Sequence, residues 1–506
     1  MEGLIPKYEG TRQLLNQHHE KAIIFRHSHI AITDYHMGDN REFERSLSRW
    51  DKMRWKYELL GGYYVKALRE FRINRAFNIE QLKHFFPDYE FKVENCAYPY
   101  DEIDIQLLTP PRDDLQRMTL TFMASEGKFK NNAKFTQQMI ENPVGTGKTY
   151  CGTAITAYMK TKTLIIVPLA KLLNQWKESF ILFTGMDEDD ILIVKGSKTC
   201  NKILEGKYKH KNVFIFMVDT IYSFNKQYGD IKTMDMLAST RCHTKIVDEI
   251  HLDLKAISMI EALSNFRMNY YMSASAGRSE QKENWIFKNL FTHIPRFGSN
   301  FQTKDEKHLN IMVKKYYFTP TPRQIKRMVS NKTGLNTKAY ETELRVSPTE
   351  QRVNFEDQLK IILKWTKKNL KDENKIIIFG QSIEFLYYLQ TIVEEVYPNK
   401  TSVYYGGMKK DEKEKALHSD IIIATTASLG TGADIKGLQF GINCSTYSSW
   451  ISVKQISGRL RKLPDETPTV YIEMVNFGYI KTVKQFEKRK PYLIKASKDE
   501  KILMVN

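Results

Sequence analysis

The clearest chemistry in the sequence lies in the segment NPVGTGKT at residues 142–149. Gly145 and Gly147 let backbone amides turn towards an anion, because a side chain there would obstruct its close approach. The Lys148 amine then suits the β- and γ-phosphates of a nucleotide, and the Thr149 hydroxyl suits Mg²⁺. Residues 150–160 are predicted to form a helix whose N-terminus faces the phosphates. The segment predicts a phosphate-binding loop, which by itself indicates only a nucleotide-hydrolysing site.

A second chemical signal is KIVDEIH at residues 245–251. An apolar strand that ends in Asp248 and Glu249 places two carboxylates at the sheet edge where ligands bind in α/β folds. We expect Asp248 to hold Mg²⁺, directly or through water, and Glu249 to orient and deprotonate the attacking water. His251 lies where it could link the nucleotide site to the next motif. Strands that end in exposed acids are common, but the pairing with a phosphate loop favours a nucleotide hydrolase.

The elements that must position these residues fall into two successive series of short apolar runs. Each run is bounded by polar or turn residues, which is typical of a buried parallel strand. The strands of the first series are predicted at 163–167, 191–194, 212–217, 245–247 and 269–272. Those of the second series are predicted at 375–379, 402–405, 420–424, 440–443 and 469–473. The predicted fold class is α/β, with two tandem domains of parallel sheets flanked by helices.

The N-terminal region has a mixed texture and is predicted to be a small α+β domain. Strand-like stretches occur at 21–29 and 62–69, and a predicted helix at 78–86 stops before Pro87. The segment at 98–112 is rich in proline and charge and is predicted to be a linker. We therefore expect an accessory domain at 1–110, a first α/β domain at 111–305 and a second at 306–506.

Composition narrows the class of protein. A chain of 506 residues is too long for one ordinary domain. Its 77 Lys and Arg against 59 Asp and Glu give a formal charge of +18. This excess favours a polyanionic partner, because Lys and Arg release phosphate counterions on binding, although charge alone leaves the partner open. Five cysteines without a CxxC pair indicate a reducing compartment rather than disulfides or a zinc site.

The sequence gives no sign of export or of membrane insertion. The first ten residues lack the basic flank and apolar core of a signal peptide. No apolar run approaches the ~20 residues that span a bilayer. We therefore expect a protein of the cytoplasm, or of the host cytoplasm if a phage encodes it, with no membrane association.

The two chemical signals together resemble those of superfamily 2 helicases, with DEIH as the DExH box. The family's remaining motifs occur in order, at 167–168 with 172–176 (Ia), 218–222, 273–275 (III), 376–382 (IV), 425–434 (V) and 455–459 (VI). The resemblance implies two RecA-like domains that hydrolyse ATP in the cleft between them, stimulated by nucleic acid. It also implies strand contacts for Pro168, Thr220, Gln381 and Thr426, and coupling of hydrolysis to movement for His251, Ser273 and Ser275.

Motif VI, QISGR at 455–459, resembles the family segment that brings a cation to the γ-phosphate. Such an arginine finger can be worth ~10³–10⁵ in rate. Arg459 matches the first family arginine, and Gln455 is implied to lie close to the γ-phosphate. The second arginine position holds Lys462, with Arg461 just before it. Either Arg461 shifts into the site or Lys462 acts as a point charge without bidentate geometry.

A glutamine that reads the adenine usually precedes the phosphate loop in this family. Gln116 is the candidate, but its spacing is longer than usual because residues 126–138 look like an insertion. An ordinary surface glutamine is the alternative. The predicted nucleotide-binding residues are Gly145, Thr146, Gly147, Lys148, Thr149, Gln116, Gly432 and Asp434, and the predicted catalytic residues are Lys148, Asp248, Glu249, Gln455, Arg459, Arg461 and Lys462.

The segment FRINRAFNIEQLKHF at 71–85 resembles the accessory domain of bacteriophage recombination helicases of the UvsW type. These resemble RecG in action and remodel forks, D-loops and four-way junctions. Basic and aromatic residues interleave around the segment, and Arg54 and Arg72 are predicted to contact nucleic acid. Trp50 and Trp55 are predicted to lie in a small core, with base stacking as the alternative.

The combined interpretation is an ATP- and Mg²⁺-dependent DNA helicase or translocase that unwinds or branch-migrates branched DNA, in replication and recombination. One alternative is an RNA helicase of the DExH type, since the motifs do not separate DNA from RNA. The other is a non-catalytic nucleic-acid-binding protein with a decayed ATPase fold. The sequence leaves the oligomeric state open and favours a monomer.

Overall fold

The computed structural model describes residues 20–51, 53–143, 145–273, 281–298, 308–330, 334–429, 435–447, 459–460, 462–463 and 467–505. The chain divides into two compact units, Met1–Phe301 and Gln302–Asn506. The predicted accessory region and the first predicted α/β region therefore lie together in one unit.

The N-terminal region of the first unit forms a small five-stranded sheet. Its strands are β1 (Ala22–Phe25), β2 (His29–Ile32), β5 (Tyr63–Val65), β6 (Glu70–Asn74) and β7 (Glu90–Val93), in the spatial order β5-β6-β2-β1-β7. The intervening β3 (Ser48–Asp51) and β4 (Lys56–Leu59) pair with each other as a separate antiparallel hairpin. The single strand-like stretch predicted at 21–29 is two strands, because the chain turns where Arg26 N donates to His29 O at 2.9 Å.

Two helices pack with this sheet, Arg41–Ser46 and Ile79–Phe85. The second begins where the Asn78 side chain accepts from the amide of Glu80 at 3.1 Å. A short polar side chain at this position satisfies a backbone donor that the first helical turn leaves unpaired. The helix ends just before Pro87, in agreement with the prediction from the sequence.

The segment at 98–112, predicted to be a linker, is instead laid along the first α/β domain. Tyr98 N donates to Asn265 O at 2.9 Å, and Leu108 N donates to Phe183 O at 2.8 Å. Ile105 is buried among the residues of that domain's core. Its proline and charge pattern is typical of a linker, but alternating apolar residues fix it to the domain surface.

The α/β domain of the first unit contains a seven-stranded parallel sheet. Its strands are β8 (Gln137–Ile140), β9 (Thr163–Val167), β10 (Ile191–Val194), β11 (Val213–Met217), β12 (Thr244–Asp248), β13 (Met268–Met272) and β14 (Arg296–Phe297), in the order β10-β11-β9-β12-β13-β8-β14. Along β9, Leu164 and Ile166 enter one apolar cluster, and Ile165 and Val167 enter another. Both faces are thus covered, as a parallel sheet requires.

Helices flank this sheet and carry the residues that follow its strands. Their bounds are Asp114–Met123, Lys148–Met159, Ala170–Thr184, Gly196–Leu204, Val218–Tyr228, Asp230–Ser239, Leu254–Leu263 and Gln281–Leu290. Short 3₁₀ segments occur at Lys66–Leu68, Gly127–Lys134 and Glu188–Asp190. The Gly127–Lys134 segment lies in the insertion predicted before the phosphate loop.

The second unit repeats the same architecture. Its parallel sheet contains β15 (Leu309–Tyr316), β18 (Lys375–Gly380), β19 (Thr401–Tyr404), β20 (Ile421–Thr425), β21 (Leu438–Asn443), β22 (Thr469–Asn476) and β23 (Leu503–Val505), in the order β19-β20-β18-β21-β22-β15-β23. A small hairpin pairs β16 (Val329–Ser330) with β17 (Gly334–Leu335). The helices are Pro322–Met328, Thr337–Val346, Thr349–Asn369, Ile383–Glu394, Lys410–His418, Thr426–Leu429 and Ile480–Ala496. Each unit thus contains one RecA-like domain, which confirms the predicted fold class.

Helix length and polarity bear on membrane insertion. Among the residues that the structure describes, no helix combines the length and the apolar character needed to cross a bilayer.

Candidate nucleotide site and nucleic-acid contacts

The phosphate loop joins β8 to the helix Lys148–Met159. Gly145 and Gly147 have φ of 84° and 85°, a conformation that favours glycine. A Cβ on Gly147 would lie 2.2 Å from Gln116 Nε2, so a larger residue would displace the loop. Lys148 Nζ lies 3.0 Å from Asn142 O and 3.2 Å from Pro143 O, which keeps the amine over the loop. The geometry fits a nucleotide phosphate held by backbone amides and one cation.

Gln116 braces this loop from the helix Asp114–Met123. Its Nε2 donates to Thr146 O at 3.1 Å, and its Oε1 accepts from Arg112 N at 2.8 Å. The residue is only 4% exposed, so the alternative of a surface glutamine is wrong. Contact with adenine remains a prediction, whereas support of the loop is visible in the structure.

Asn142 stands where the family usually has a small residue, and its amide has a structural use. Asn142 Nδ2 donates to Thr119 Oγ1 at 2.8 Å, and the residue is fully buried. The first position of the loop is therefore attached to the same helix that carries Gln116. Sequence reasoning did not identify Thr119, because nothing in its local pattern distinguishes it from other helical threonines.

The acidic box follows β12, with Asp248 as the last residue of that strand. Asp248 is buried and accepts from Trp176 Nε1 at 2.9 Å and from the Glu249 amide at 2.9 Å. Burial, reinforced by the neighbouring Glu249 charge, raises the pKa of Asp248 to about 6. Trp176 and Lys148 act in the opposite direction and favour the carboxylate. A divalent cation bound to this carboxylate would favour its ionised form.

Trp176 was not identified from the sequence as part of the nucleotide site. The residues at 172–176 resemble the motif that grips the nucleic-acid strand, yet Trp176 is fully buried beneath the phosphate-loop helix. A Cβ on Gly152 would lie 2.5 Å from Trp176 Cη2, so the helix approaches the indole closely. Trp176 therefore connects this helix to Asp248 and is not available to a strand.

Three strand ends meet beside the acidic box. His251 Nδ1 lies 2.8 Å from Ser273 Oγ and 3.2 Å from Glu249 Oε2. Ser273 N donates to Ile140 O at 3.0 Å, which joins the end of β13 to the end of β8. Glu249 has a φ of 48°, an unfavourable value for a non-glycine residue and one that clusters at functional sites. The DEIH box, the start of motif III and the phosphate-loop strand are thus in direct contact.

The remaining predicted nucleotide residues fall into two groups. Thr149 Oγ1 accepts from Gln175 Nε2 at 3.2 Å. A hydroxyl and a carboxylate are oxygen donors of the kind that Mg²⁺ takes, and its binding by Thr149 and Asp248 remains a prediction. Arg459 is half-buried and Lys462 is exposed, both in the second unit. The other predicted residues, Ser275, Gly432, Asp434, Gln455 and Arg461, lie outside the described residues.

The predicted strand contacts lie at the carboxyl ends of strands. In the first unit Pro168 follows β9 and Thr220 lies in the first turn of the helix that follows β11, and these two strands are neighbours. In the second unit Gln381 follows β18 and Thr426 follows β20, again neighbouring strands. The Gln381 side-chain amide donates to the Thr426 hydroxyl. Each pair therefore lies at one edge of its own sheet, the edge at which ligands bind in this class of fold.

Two predictions for the N-terminal region are corrected. Arg72 lies in β6 with no exposed surface, donates to Ala262 O at 2.8 Å and pairs with Glu70, so it cannot contact nucleic acid. Trp50 and Trp55 are 42% and 80% exposed, so the predicted core position is wrong for both. Their segment is the antiparallel hairpin of β3 and β4.

The hairpin turn between β3 and β4 carries the exposed basic residue predicted to contact nucleic acid. Arg54 has a side chain that is 66% exposed, and its Nε lies 3.7 Å from Asp51 Oδ2.

Two family models match the chain in the order of its RecA-like domains. Residues 111–280 match the res subunit of type III restriction enzymes, and residues 354–463 match the helicase conserved C-terminal domain. Together they span more than half of the chain. Two tandem RecA-like domains with these matches define an ATP-dependent motor that acts on nucleic acid. The chain belongs to helicase superfamily 2, as its motifs predicted.

The chain is also similar to individual proteins. It is 22% identical to the DNA 3'-5' translocase XPB2 of Sulfurisphaera tokodaii over 436 residues, 80% of this chain and 90% of the relative. The structure of S. cerevisiae Dbp5 bound to RNA and ADP BeF3 matches 78% of this chain and 89% of its own at 11% identity, with a TM-score of 0.50. T4 UvsW matches 96% of this chain and 99% of its own at 15% identity, with a TM-score of 0.35.

Proposed function

We propose that this helicase is an ATP-driven translocase on DNA that unwinds or branch-migrates forks, D-loops and four-way junctions. The observation that carries the proposal is the hairpin of β3 and β4. Its turn exposes Trp55, Arg54 and Met53, with Met53 93% exposed. Exposed aromatic rings beside a cation are typical of surfaces that stack on unpaired bases and contact phosphates.

The hairpin is held against the first RecA-like domain by ion pairs. Arg49 pairs with Glu58 across the hairpin at 3.0 Å and also with Glu283 of the motor domain. Glu58 in turn accepts from Lys255 at 2.8 Å. Because Lys255 lies on the helix that follows the DEIH box, the hairpin is attached close to the hydrolysis machinery. Such an attachment suits a wedge that advances with the motor.

The described residues also support roles in hydrolysis. ATP with Mg²⁺ supplies the anhydride to be cleaved and the cation that neutralises its phosphates. Lys148, with the amides of the phosphate loop, binds and orients the phosphates, and Thr149 with Asp248 would hold Mg²⁺. Glu249 orients the attacking water and takes its proton. His251 connects Glu249 to Ser273, through which a change at the site reaches motif III.

The test is steady-state ATPase activity without nucleic acid and then with matched single-stranded DNA, duplex DNA, a four-way junction and RNA. Greater stimulation by the junction than by RNA is expected. Stimulation by RNA alone would retain the motor and overturn the DNA substrate, in favour of the DExH-type RNA helicase alternative. Binding of DNA without ATPase activity under any condition would favour the decayed-fold alternative.

A further inference from the structure

A fully buried carboxylate in the second unit lies outside every helicase motif. Glu341 belongs to the helix Thr337–Val346 and has no exposed surface. Its Oε1 accepts from Gln381 N at 2.8 Å and from Ser445 Oγ at 2.8 Å. Its Oε2 accepts from Ser382 N at 2.8 Å and from Ser382 Oγ at 2.9 Å. Each oxygen therefore accepts two hydrogen bonds, a full complement for a buried carboxylate.

The donors come from segments that follow two neighbouring strands. Gln381 and Ser382 follow β18, and Ser445 follows β21, which pairs with β18 in parallel. On the other side of β18, Gln381 donates through its side chain to Thr426, which follows β20. Glu341 thus binds the segments after two adjacent strands directly, and Gln381 links them to the end of a third strand. Two of them carry the predicted strand contacts Gln381 and Thr426.

The carboxylate is itself held in place by its neighbour along the helix. Tyr340 OH lies 2.8 Å from Tyr316 OH and accepts from Asn476 Nδ2 at 2.8 Å. These contacts attach the helix to β15 and β22. The position of Glu341 is therefore set by the sheet rather than by the loops that it binds.

The ionisation of Glu341 is balanced between two effects. Burial raises the pKa of Glu341 to about 7, against the hydrogen bonds from Ser445, Ser382 and the two backbone amides. A backbone N–H cannot rotate away, so the two amides require acceptor oxygens at these points. A glutamine in this position would turn N–H groups towards one pair of donors.

We propose that Glu341 is a positioning residue for strand binding: it holds the loop of Gln381 and, through it, Thr426, in the arrangement that receives the backbone of single-stranded nucleic acid. The inference rests on the proposed function, since it assigns a strand-contacting role to these two residues. The helix Thr337–Val346, which carries no helicase motif, would thereby contribute to strand binding.

Two other acidic side chains show why Glu341 is distinctive. Glu473 of β22 is equally buried but pairs with the Arg489 guanidinium, an arrangement that stabilises the domain core. Glu343, two residues after Glu341, pairs with the exposed Arg327. All four donors to Glu341 are neutral, and all lie in the loops after β18 and β21. Glu343 therefore serves as the matched control on the same helix.

The experiment compares Glu341→Gln with Glu343→Gln in the full chain, using ATPase activity titrated with oligothymidylate. We expect Glu341→Gln to raise the half-stimulating concentration about tenfold, while its KM for ATP stays at the wild-type value. Glu343→Gln is expected to match the wild type in both. An unchanged half-stimulating concentration in a folded Glu341→Gln protein would overturn the inference. A parallel rise in the KM for ATP would also overturn it, since that would indicate general damage to the domain.

A second variant keeps the inference testable if Glu341→Gln does not fold. Ser445→Ala removes one donor and is expected to raise the half-stimulating concentration about threefold. A wild-type value for Ser445→Ala would contradict the inference. The inference about Glu341 and the proposed DNA substrate can also be contradicted separately. Stimulation of the wild type by RNA alone would overturn the DNA substrate, and the titration would then use oligouridylate to test Glu341.

Discussion

Trp176 donates its indole N–H to the buried carboxylate of Asp248 across 2.9 Å. The two residues are 72 positions apart, on the helix after β9 and at the end of β12. A neutral donor at this distance stabilises the ionised carboxylate and fixes its orientation without competing for its charge. The Mg²⁺ ligand proposed for this helicase is therefore supported by a residue outside the phosphate loop and the acidic box.

Replacement of Trp176 by phenylalanine keeps an apolar ring and removes the donor. We expect kcat to fall about tenfold, because a hydrogen bond to a charged group contributes roughly 1.5–3 kcal/mol. Steady-state ATPase activity at saturating nucleic acid measures the effect. Trp285→Phe, at a 40% exposed position of the same unit, is the control. A kcat equal to that of the wild type would show that the contact has no catalytic consequence.

Asp248→Asn is expected to stop hydrolysis and to stabilise the nucleotide-free protein above pH 7. The pKa of Asp248 is raised to about 6, so its stabilising contribution is present at low pH and is lost as the pH rises through 6. Asparagine does not ionise and escapes this loss. Thermal unfolding from pH 4 to pH 8 measures the difference. Parallel curves for the two proteins at all pH values would contradict the assigned pKa.

Lys148→Ala and Glu249→Gln are each expected to abolish turnover while DNA binding is largely retained. Lys148 supplies the cation of the phosphate loop, and loss of a general base such as Glu249 costs ~10²–10⁴ in rate. ATPase assays and a DNA-binding titration measure the two properties side by side. Glu178→Gln, an exposed position on the helix Ala170–Thr184, is the control. Retained hydrolysis in both active-site variants would overturn the site assignment.

Arg459→Ala is expected to bind ATP and fail to hydrolyse it. The motif resemblance assigns the Arg459 guanidinium to the developing charge on the γ-phosphate, which is worth ~10³–10⁵ in rate. Binding of a fluorescent ATP analogue, measured beside turnover, separates the two properties. Normal turnover would mean that motif VI is misread. Separate Arg461→Ala and Lys462→Ala variants decide which residue acts as the second cation.

Trp55→Ala is expected to reduce stimulation by a four-way junction about tenfold while leaving stimulation by single-stranded DNA unchanged. Stacking of one base on an aromatic ring contributes ~1–3 kcal/mol, and the exposed hairpin ring would meet a base only at a junction. Junction-unwinding assays and ATPase titrations measure the effect. Trp285→Ala removes an exposed ring elsewhere in the same unit. Equal losses with both DNA substrates would argue against a wedge.

Much of the fold follows from local sequence. The strands β9 and β10 coincide with their predicted bounds, because each is a short apolar run between polar turns. The strand β8 was missed because Gln137 and Gln138 make it look polar. Gln137 is buried and donates to Ser28 O and to Tyr271 OH, both distant in sequence. Tertiary hydrogen bonds of this kind leave no trace in a local pattern.

The residues of the candidate site also divide into those that the local sequence predicts and those that it does not. Glycine, lysine and threonine in the phosphate loop act within a few residues, so their spacing predicts them. Trp176, Thr119 and Glu341 act through contacts with residues far along the chain, so spacing could not reveal them. Arg72 was misassigned because a basic segment resembles a solvated face. Glu70 lies two residues earlier, on the same side of the strand, and its opposite charge could have indicated a buried ion pair with Arg72.

The segment at 98–112 and the buried contacts of Ser28 and Arg72 make the N-terminal domain an integral part of the first motor domain rather than a separable module. Removal of the N-terminal domain would take Ser28 O away from Gln137 Nε2 and the Arg72 guanidinium away from the Ala262 carbonyl. A truncated motor would therefore fail for reasons unrelated to substrate choice. Substitutions at the hairpin turn, rather than deletion of the domain, can therefore separate the strength of nucleic-acid binding from the choice of substrate.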